Sequence, residues 1–220
     1  MLRWHHPLGV STGYMAGLRG NWDAQISAAR KVSSFAIELS VLSETELPSL
    51  WQYLSRGREW PFRYISVHGP SKDRELDEKS LVAQLVKLAK WADGIVMHPD
   101  TIQSSKEYLP LGRKLILENL DSRKSTGRTA DELAPFFKKL PEARFCFDIA
   151  HAWSIDDGEM IVAGELLDRL GERLQHVHLS SLSLDLHHVP LTAEHQELFR
   201  PFLARCVDVP WILEAPPLAA

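Results

Sequence analysis

Residues 145–151 read FCFDIAH, an apolar run that ends on an acid, with a histidine three positions further on. A short run apolar at every position fits a strand covered on both faces, and such strands are typical of parallel sheets. Asp148 and His151 then form a D-x-x-H pair where that strand stops. The same pattern recurs upstream and downstream. LGVST (8–12), SFAIELS (34–40), YISVHG (64–69), GIVMH (94–98) and KLILEN (114–119) precede it, and HVHLSS (176–181) and WILEA (211–215) follow, which makes eight strands.

Helical segments are expected between the strands. Leu81, Leu85, Leu88 and Trp91, and again Leu133, Phe136, Phe137 and Leu140, recur at helical spacing. Thr129 ahead of Asp131 and Glu132 reads as a helix N-cap, and Pro110, Pro141 and Pro210 fall where helices should already have ended. Regular strand–helix alternation over eight units predicts a compact TIM-type (β/α)8 barrel in the α/β class. After the eighth strand only PPLAA remains, so the eighth helix is expected to be missing and one wall bare. A doubly wound open sheet is the rival. GLRG at 17–20 lacks the spacing of a dinucleotide fingerprint.

Bulk properties agree with one globular domain over residues 1–220. The chain is 45% hydrophobic with a formal net charge of -4, so it lacks the strong basic excess common in nucleic-acid-binding proteins. No stretch is long and apolar enough to span a bilayer, and the N-terminus lacks a signal-peptide core, which makes a cytoplasmic address the expectation. Cys146 and Cys206 are the only cysteines and read as core residues, offering neither a disulfide framework nor a thiolate metal site.

Function is written at the strand ends. His68, His98, Glu118, Asp148, His178 and Glu214 each follow an apolar strand, and in a barrel those C-terminal ends share one mouth. His151 joins them through the D-x-x-H pair, and DLHH (185–188) adds Asp185 and His187 from the loop after the seventh strand. Any one of these, taken alone, is ordinarily a hydrogen-bonded or surface-facing side chain. Nine together would be costly to bury without compensation, which bound cations supply. Imidazole and carboxylate without thiolate suit zinc first, with manganese or iron as alternatives, and nine donors imply two or three ions per chain. His176, two residues before His178, is expected to hydrogen-bond a ligand rather than to be one. His5, His6, His188 and His195 read as surface or cap residues, although His188 adjoins the site.

VHGP, MHPD, LILENL, FDIAHAW, VHLSS, DLHH and LEAP, in this order, resemble the xylose isomerase-like TIM barrels and, among them, endonuclease IV of AP endonuclease family 2. The resemblance implies that His68 and His98 hold one ion and that Glu118 bridges to a second, completed by Asp148, His178 and Glu214. His151, Asp185 and His187 would hold a third. Sugar isomerases and epimerases of this fold typically keep only the core represented by Glu118, Asp148, His178 and Glu214. Ser71 stands where the endonucleases have a Tyr, and SVLSETEL (40–47) replaces their Arg- and Gln-rich segment, which argues against recognition of abasic DNA.

A metal-dependent phosphoester hydrolase is therefore expected, with Glu118 and Glu214 orienting the attacking water. A single-ion sugar isomerase or epimerase, in which the same two carboxylates exchange a proton at carbon, is the alternative. A barrel that binds metal without catalysis is a third. Substrates in view are a small phosphoester, a sugar or a nucleic acid. The bare wall near strand eight is a candidate homodimer surface.

Overall fold

The computed structural model describes residues 6–56, 60–72 and 74–217. His5 lies outside the described residues. The strands are β1 (Leu8–Ser11), β2 (Ala36–Ser40), β3 (Tyr64–His68), β4 (Gly94–Met97), β5 (Leu115–Glu118), β6 (Arg144–Asp148), β7 (Leu174–Leu179), the short β8 (Ser181–Leu182) and β9 (His188–Val189), and β10 (Trp211–Leu213). All but β8 and β9, which form a two-stranded excursion, close into one eight-stranded barrel. Every ladder of the barrel is parallel, and β10 pairs with both β7 and β1 to complete the ring.

Around the ring lie α1 (Trp22–Val32), α2 (Leu47–Leu54), α3 (Glu78–Leu88), α4 (Ala130–Lys139), the one-turn α5 (Ile149–Trp153) that caps β6 directly, α6 (Ile161–Leu170) and α7 (Ala193–Leu203). Caps start these helices where the sequence provides them. Asn21, Asp77, Thr129, Asp148 and Thr192 each accept a backbone N–H of the first turn. No helix follows β10 among the described residues. Pro110 departs from the sequence reading: it lies inside a 3-10 stretch, Ser105–Lys114, that Gly112 breaks with a φ of 51°. A 3-10 segment interrupted in this way tolerates the missing N–H better than a continuous α-helix would.

The period-2 alternation of the strands sorts two cores. Ile37, Leu39, Val67, Leu117, Phe145, Phe147 and Val177 pack outward with helix residues such as Leu81, Leu85 and Leu133. The other strand face lines the barrel interior, and its apolar part is two clusters, Ala36, Tyr64 and Ile212 in one and Val96, Ile116 and Cys146 in the other. Space there is tight: a Cβ on Gly9 would sit 2.4 Å from the Ile212 side chain and 2.7 Å from that of Ala36. Polar side chains share this interior, His176 standing opposite Cys146 and His178 opposite Ile212. Both cysteines are buried and free. No helix among the described residues is long and apolar enough to cross a membrane.

Candidate metal centre

Glu118, the last residue of β5, is the hub of the barrel mouth. It is 1% exposed and has four imidazoles around it: His68 Nε2 at 3.2 Å, His98 Nε2 at 3.4 Å, His151 Nδ1 at 3.3 Å and His178 Nδ1 at 3.3 Å. Each partner arrives from its own strand end: His68 closes β3, His98 follows β4, His151 sits on α5 after β6, and His178 lies on β7. Burial opposes ionisation of Glu118, but the surrounding rings, His178 and His98 foremost, hold its carboxyl well below the usual range.

Asp148 is pinned from two sides. Asn119 exchanges two hydrogen bonds with its main chain, Nδ2 donating to the Asp148 carbonyl at 2.8 Å and Oδ1 accepting the Asp148 N–H at 2.9 Å. Asp148 Oδ1 then accepts the His151 N–H at 2.7 Å as the cap of α5, leaving Oδ2 buried without a hydrogen bond. The D-x-x-H spacing thus has a local cause: a helix N-cap holds the acid three residues before the His and turns its second oxygen inward.

Glu214, just after β10, completes the ring with Oε1 3.3 Å from His178 Nδ1. Its carboxyl is raised well above the ordinary range by burial and by the neighbouring Asp148 and Glu118 carboxylates, against the pull of His178. Three acids this close together repel one another, and a cation relieves that repulsion.

Tautomers are set from behind. His68 Nδ1 donates to the Gly69 carbonyl at 2.9 Å, so in the neutral ring Nε2 faces Glu118 with a lone pair. A lone pair against a carboxylate at this distance calls for a proton or a metal ion between them. His98 Nδ1, Asp148 Oδ2, His178 Nδ1 and Glu214 Oε2 are all buried with no hydrogen-bond partner. Nitrogen and oxygen donors left bare in this way fit divalent cations.

Among the described residues four groups of donors lie close enough to hold an ion, and three of them ring the mouth: His68, His98 and Glu118; Glu118, Asp148, His178 and Glu214; and Asp148, His151 and His188. Seven of the nine residues singled out in the sequence fall in these groups. Asp185 and His187 do not; both are exposed, Asp185 using its carbonyl to accept from Arg123 and His187 lining the cleft above. His188 stands in the third group instead. The strands β8 and β9 pair antiparallel, Leu182 opposite His188, and Leu186 takes a φ of 57° to turn the hairpin. Ser180 Oγ holds His188 Nδ1 at 2.7 Å, and the ring of His188 lies 5.1 Å from that of His151. His188 is thus not the surface residue it resembled in sequence. His6 stacks on Trp211, and His195 sits in the first turn of α7 between Trp153 and Phe199.

Beneath the ring lies a polar layer with one member that sequence reading overlooked. Glu38, in the middle of β2, is fully buried; it accepts from Ser66 Oγ at 2.8 Å and lies 3.1 Å from His178 Nε2. Burial would raise its carboxyl, but His178, His176 and His68 bring it down to about 2. His176 is hydrogen-bonded to the Tyr64 hydroxyl at 2.8 Å, and burial lowers its imidazole to about 3. The fourth group, Cys146, His176 and His178, is fully buried and departs from the sequence reading, since it places a thiol and His176 among the potential donors.

The cleft over the ring measures about 540 Å³, and Lys72, Arg123 and Lys124 stand on its rim. Asp121 orients Arg123 through contacts of 2.6 and 3.1 Å, and Asp100 holds Lys124 at 2.7 Å.

A family model described as a xylose isomerase-like TIM barrel matches residues 63–217. Similar solved structures include 3-keto-D-glucoside 4-epimerase from E. coli (TM-score 0.66, 16% identity, 97% of this chain and 93% of that one). Endonuclease IV from Thermus thermophilus is another (TM-score 0.60, 21% identity, 96% and 92%). A third is D-psicose 3-epimerase from Clostridium cellulolyticum (TM-score 0.60, 15% identity, 97% and 86%). At these identities the likeness shows the fold. No curated protein sequence matches the chain.

Proposed function

The chain belongs to the xylose isomerase-like TIM barrel family, and from that premise we propose that it hydrolyses phosphate esters with divalent cations held at the barrel mouth. One observation carries the reading. The donor groups are chained through shared carboxylates, Glu118 belonging to two of them and Asp148 to two. Shared carboxylates suit a cluster of ions, and clustered ions suit displacement at phosphorus.

His68, His98 and Glu118 would hold one ion, Glu118, Asp148, His178 and Glu214 a second, and Asp148, His151 and His188 a third. Zinc is the first choice for this nitrogen and oxygen set, with manganese or iron next. When bound, such ions acidify a water, neutralise phosphate oxygens and stabilise the leaving oxygen. The chain's own residues do the rest. Glu214, with Oε2 free of hydrogen bonds, takes the proton of the attacking water while Glu118 keeps the four imidazoles in register. Lys72, Arg123 and Lys124 favour an anionic substrate at the rim, and His187 is placed to meet its outer part.

A second reading is favoured by a specific feature: Glu118, Asp148, His178 and Glu214 form a complete four-donor set by themselves. With a single ion there, Glu118 and Glu214 could exchange a proton at a sugar carbon, as in an isomerase or epimerase.

The test pairs two assays. Metal-loaded protein is offered a panel of phosphomonoesters and phosphodiesters, abasic and nicked oligonucleotides included, beside Glu118→Gln. Hydrolysis that the variant loses supports the proposal. No cleavage of any ester, with solvent deuterium entering a ketose, overturns it in favour of the isomerase.

A further inference from the structure

Glu38 lies a layer below the ring, touches no donor group's outer face and yet meets His178 from behind. It is fully buried, and its neighbours on the same interior face come from β3 and β7: Ser66 Oγ at 2.8 Å and His178 Nε2 at 3.1 Å from Oε1 and 3.2 Å from Oε2. β2 and β7 are not adjacent in the ring, since β1 and β10 stand between them. The contact therefore crosses the barrel interior.

An ionised carboxylate only accepts, so the nitrogen facing it must carry a hydrogen. The opposite tautomer would set the Nε2 lone pair against a fully buried carboxylate, where the low local dielectric makes the repulsion costly. With Nε2 committed, the neutral ring has its lone pair on Nδ1. That atom lies 3.3 Å from Glu118 Oε1 and 3.3 Å from Glu214 Oε1, and it is buried without a hydrogen-bond partner. Ser66 donates to Oε2 and so helps keep the carboxylate in place.

We propose that Glu38 is a positioning residue: through its hydrogen bond it fixes His178 as the Nε2–H tautomer and aims Nδ1 at the pair Glu118 and Glu214. The inference rests on the reading of that ring as a cation site, and it makes the β2 acid part of the site although no ion would touch it. A carboxylate behind a ligating imidazole also makes the ring a stronger donor.

Zinc alone serves as the probe. In zinc-loaded, nitrogen-15-labelled protein, long-range proton–nitrogen correlation of the His178 ring is expected to show a protonated Nε2 and a metal-bound Nδ1. A protonated Nδ1 overturns the proposal without any variant. Competition with a chelator then compares Glu38→Gln and Glu38→Met. Glutamine keeps an acceptor for Nε2–H and is expected to stay within a few-fold of wild type, whereas methionine, which has none, should weaken zinc binding about 10–100-fold. Equal zinc affinity in wild type and Glu38→Met contradicts the assignment; should that variant not fold, the tautomer of the wild-type ring decides. The proposed hydrolysis fails separately, if zinc binds with this dependence on Glu38 but no ester is cleaved.

Discussion

The Asn119 side-chain amide and the Asp148 main chain are joined by two hydrogen bonds of 2.8 and 2.9 Å, closing a ring between the ends of β5 and β6. Asn119 also offers its own carbonyl to His151 Nδ1 at 3.0 Å. One residue thus sets the spacing between Glu118, its chain neighbour, and the Asp148–His151 pair.

Asn119→Ala should therefore loosen the site more than the fold. Leaving a buried peptide N–H and C=O unpaired costs about 1–3 kcal/mol for each group not rescued by water, while lost support behind ligands weakens metal binding about 10–100-fold. Chelator competition with zinc measures the second effect, and urea unfolding the first. Unchanged zinc affinity would show that Asp148 needs no such support.

The hairpin decides between two adjacent histidines. His188→Ala should lower the number of zinc ions retained after gel filtration, because it removes a donor that groups with Asp148 and His151. His187→Ala should retain them all, as His187 is exposed and outside those groups. The reverse result would restore the Asp185-and-His187 arrangement that the sequence resemblance implies.

Acidity gives a third test, on chelator-treated protein. Burial lowers the His151 imidazole, but the Asp148 and Glu118 carboxylates outweigh it and bring the ring up from 6.5 to about 10. A folded-state value above the unfolded one means that the charged ring stabilises fully below about pH 6.5, and that this contribution fades as pH rises through about 10. His151→Asn has no such charge. The stability gap between wild type and variant, read by urea unfolding, should be widest near about pH 6 and narrow toward about pH 10. A gap that does not vary over this range would contradict the assignment of a charged His151 in the metal-free protein.

Most of the barrel was legible because its strands announce themselves twice, by apolar runs and by the polar residue that ends each run. Glu118, Asp148 and Glu214 belong to that second signal. Glu38 does not: it sits inside AIELS rather than after it, and a rule that looks at strand ends passes it by. Parity would have found it. In the β2–β3 register Ser40 stands opposite His68 and Glu38 opposite Ser66, so Glu38 lies on the interior face two residues below the mouth, as His176 lies below His178. The choice of His188 over His187 is different in kind. It depends on an antiparallel pairing of two residues on each side and on a positive φ at Leu186, geometry that tertiary context imposes on a loop and that no periodicity encodes.

The number of metal ions held by each chain tests the central claim most directly. Elemental analysis of protein purified without chelator and without added metal should give two or three divalent ions per chain, and fewer in Glu118→Gln, since Glu118 serves two of the donor groups. One ion per chain would point to the single-ion isomerase chemistry, and none would contradict a metal centre at this barrel mouth.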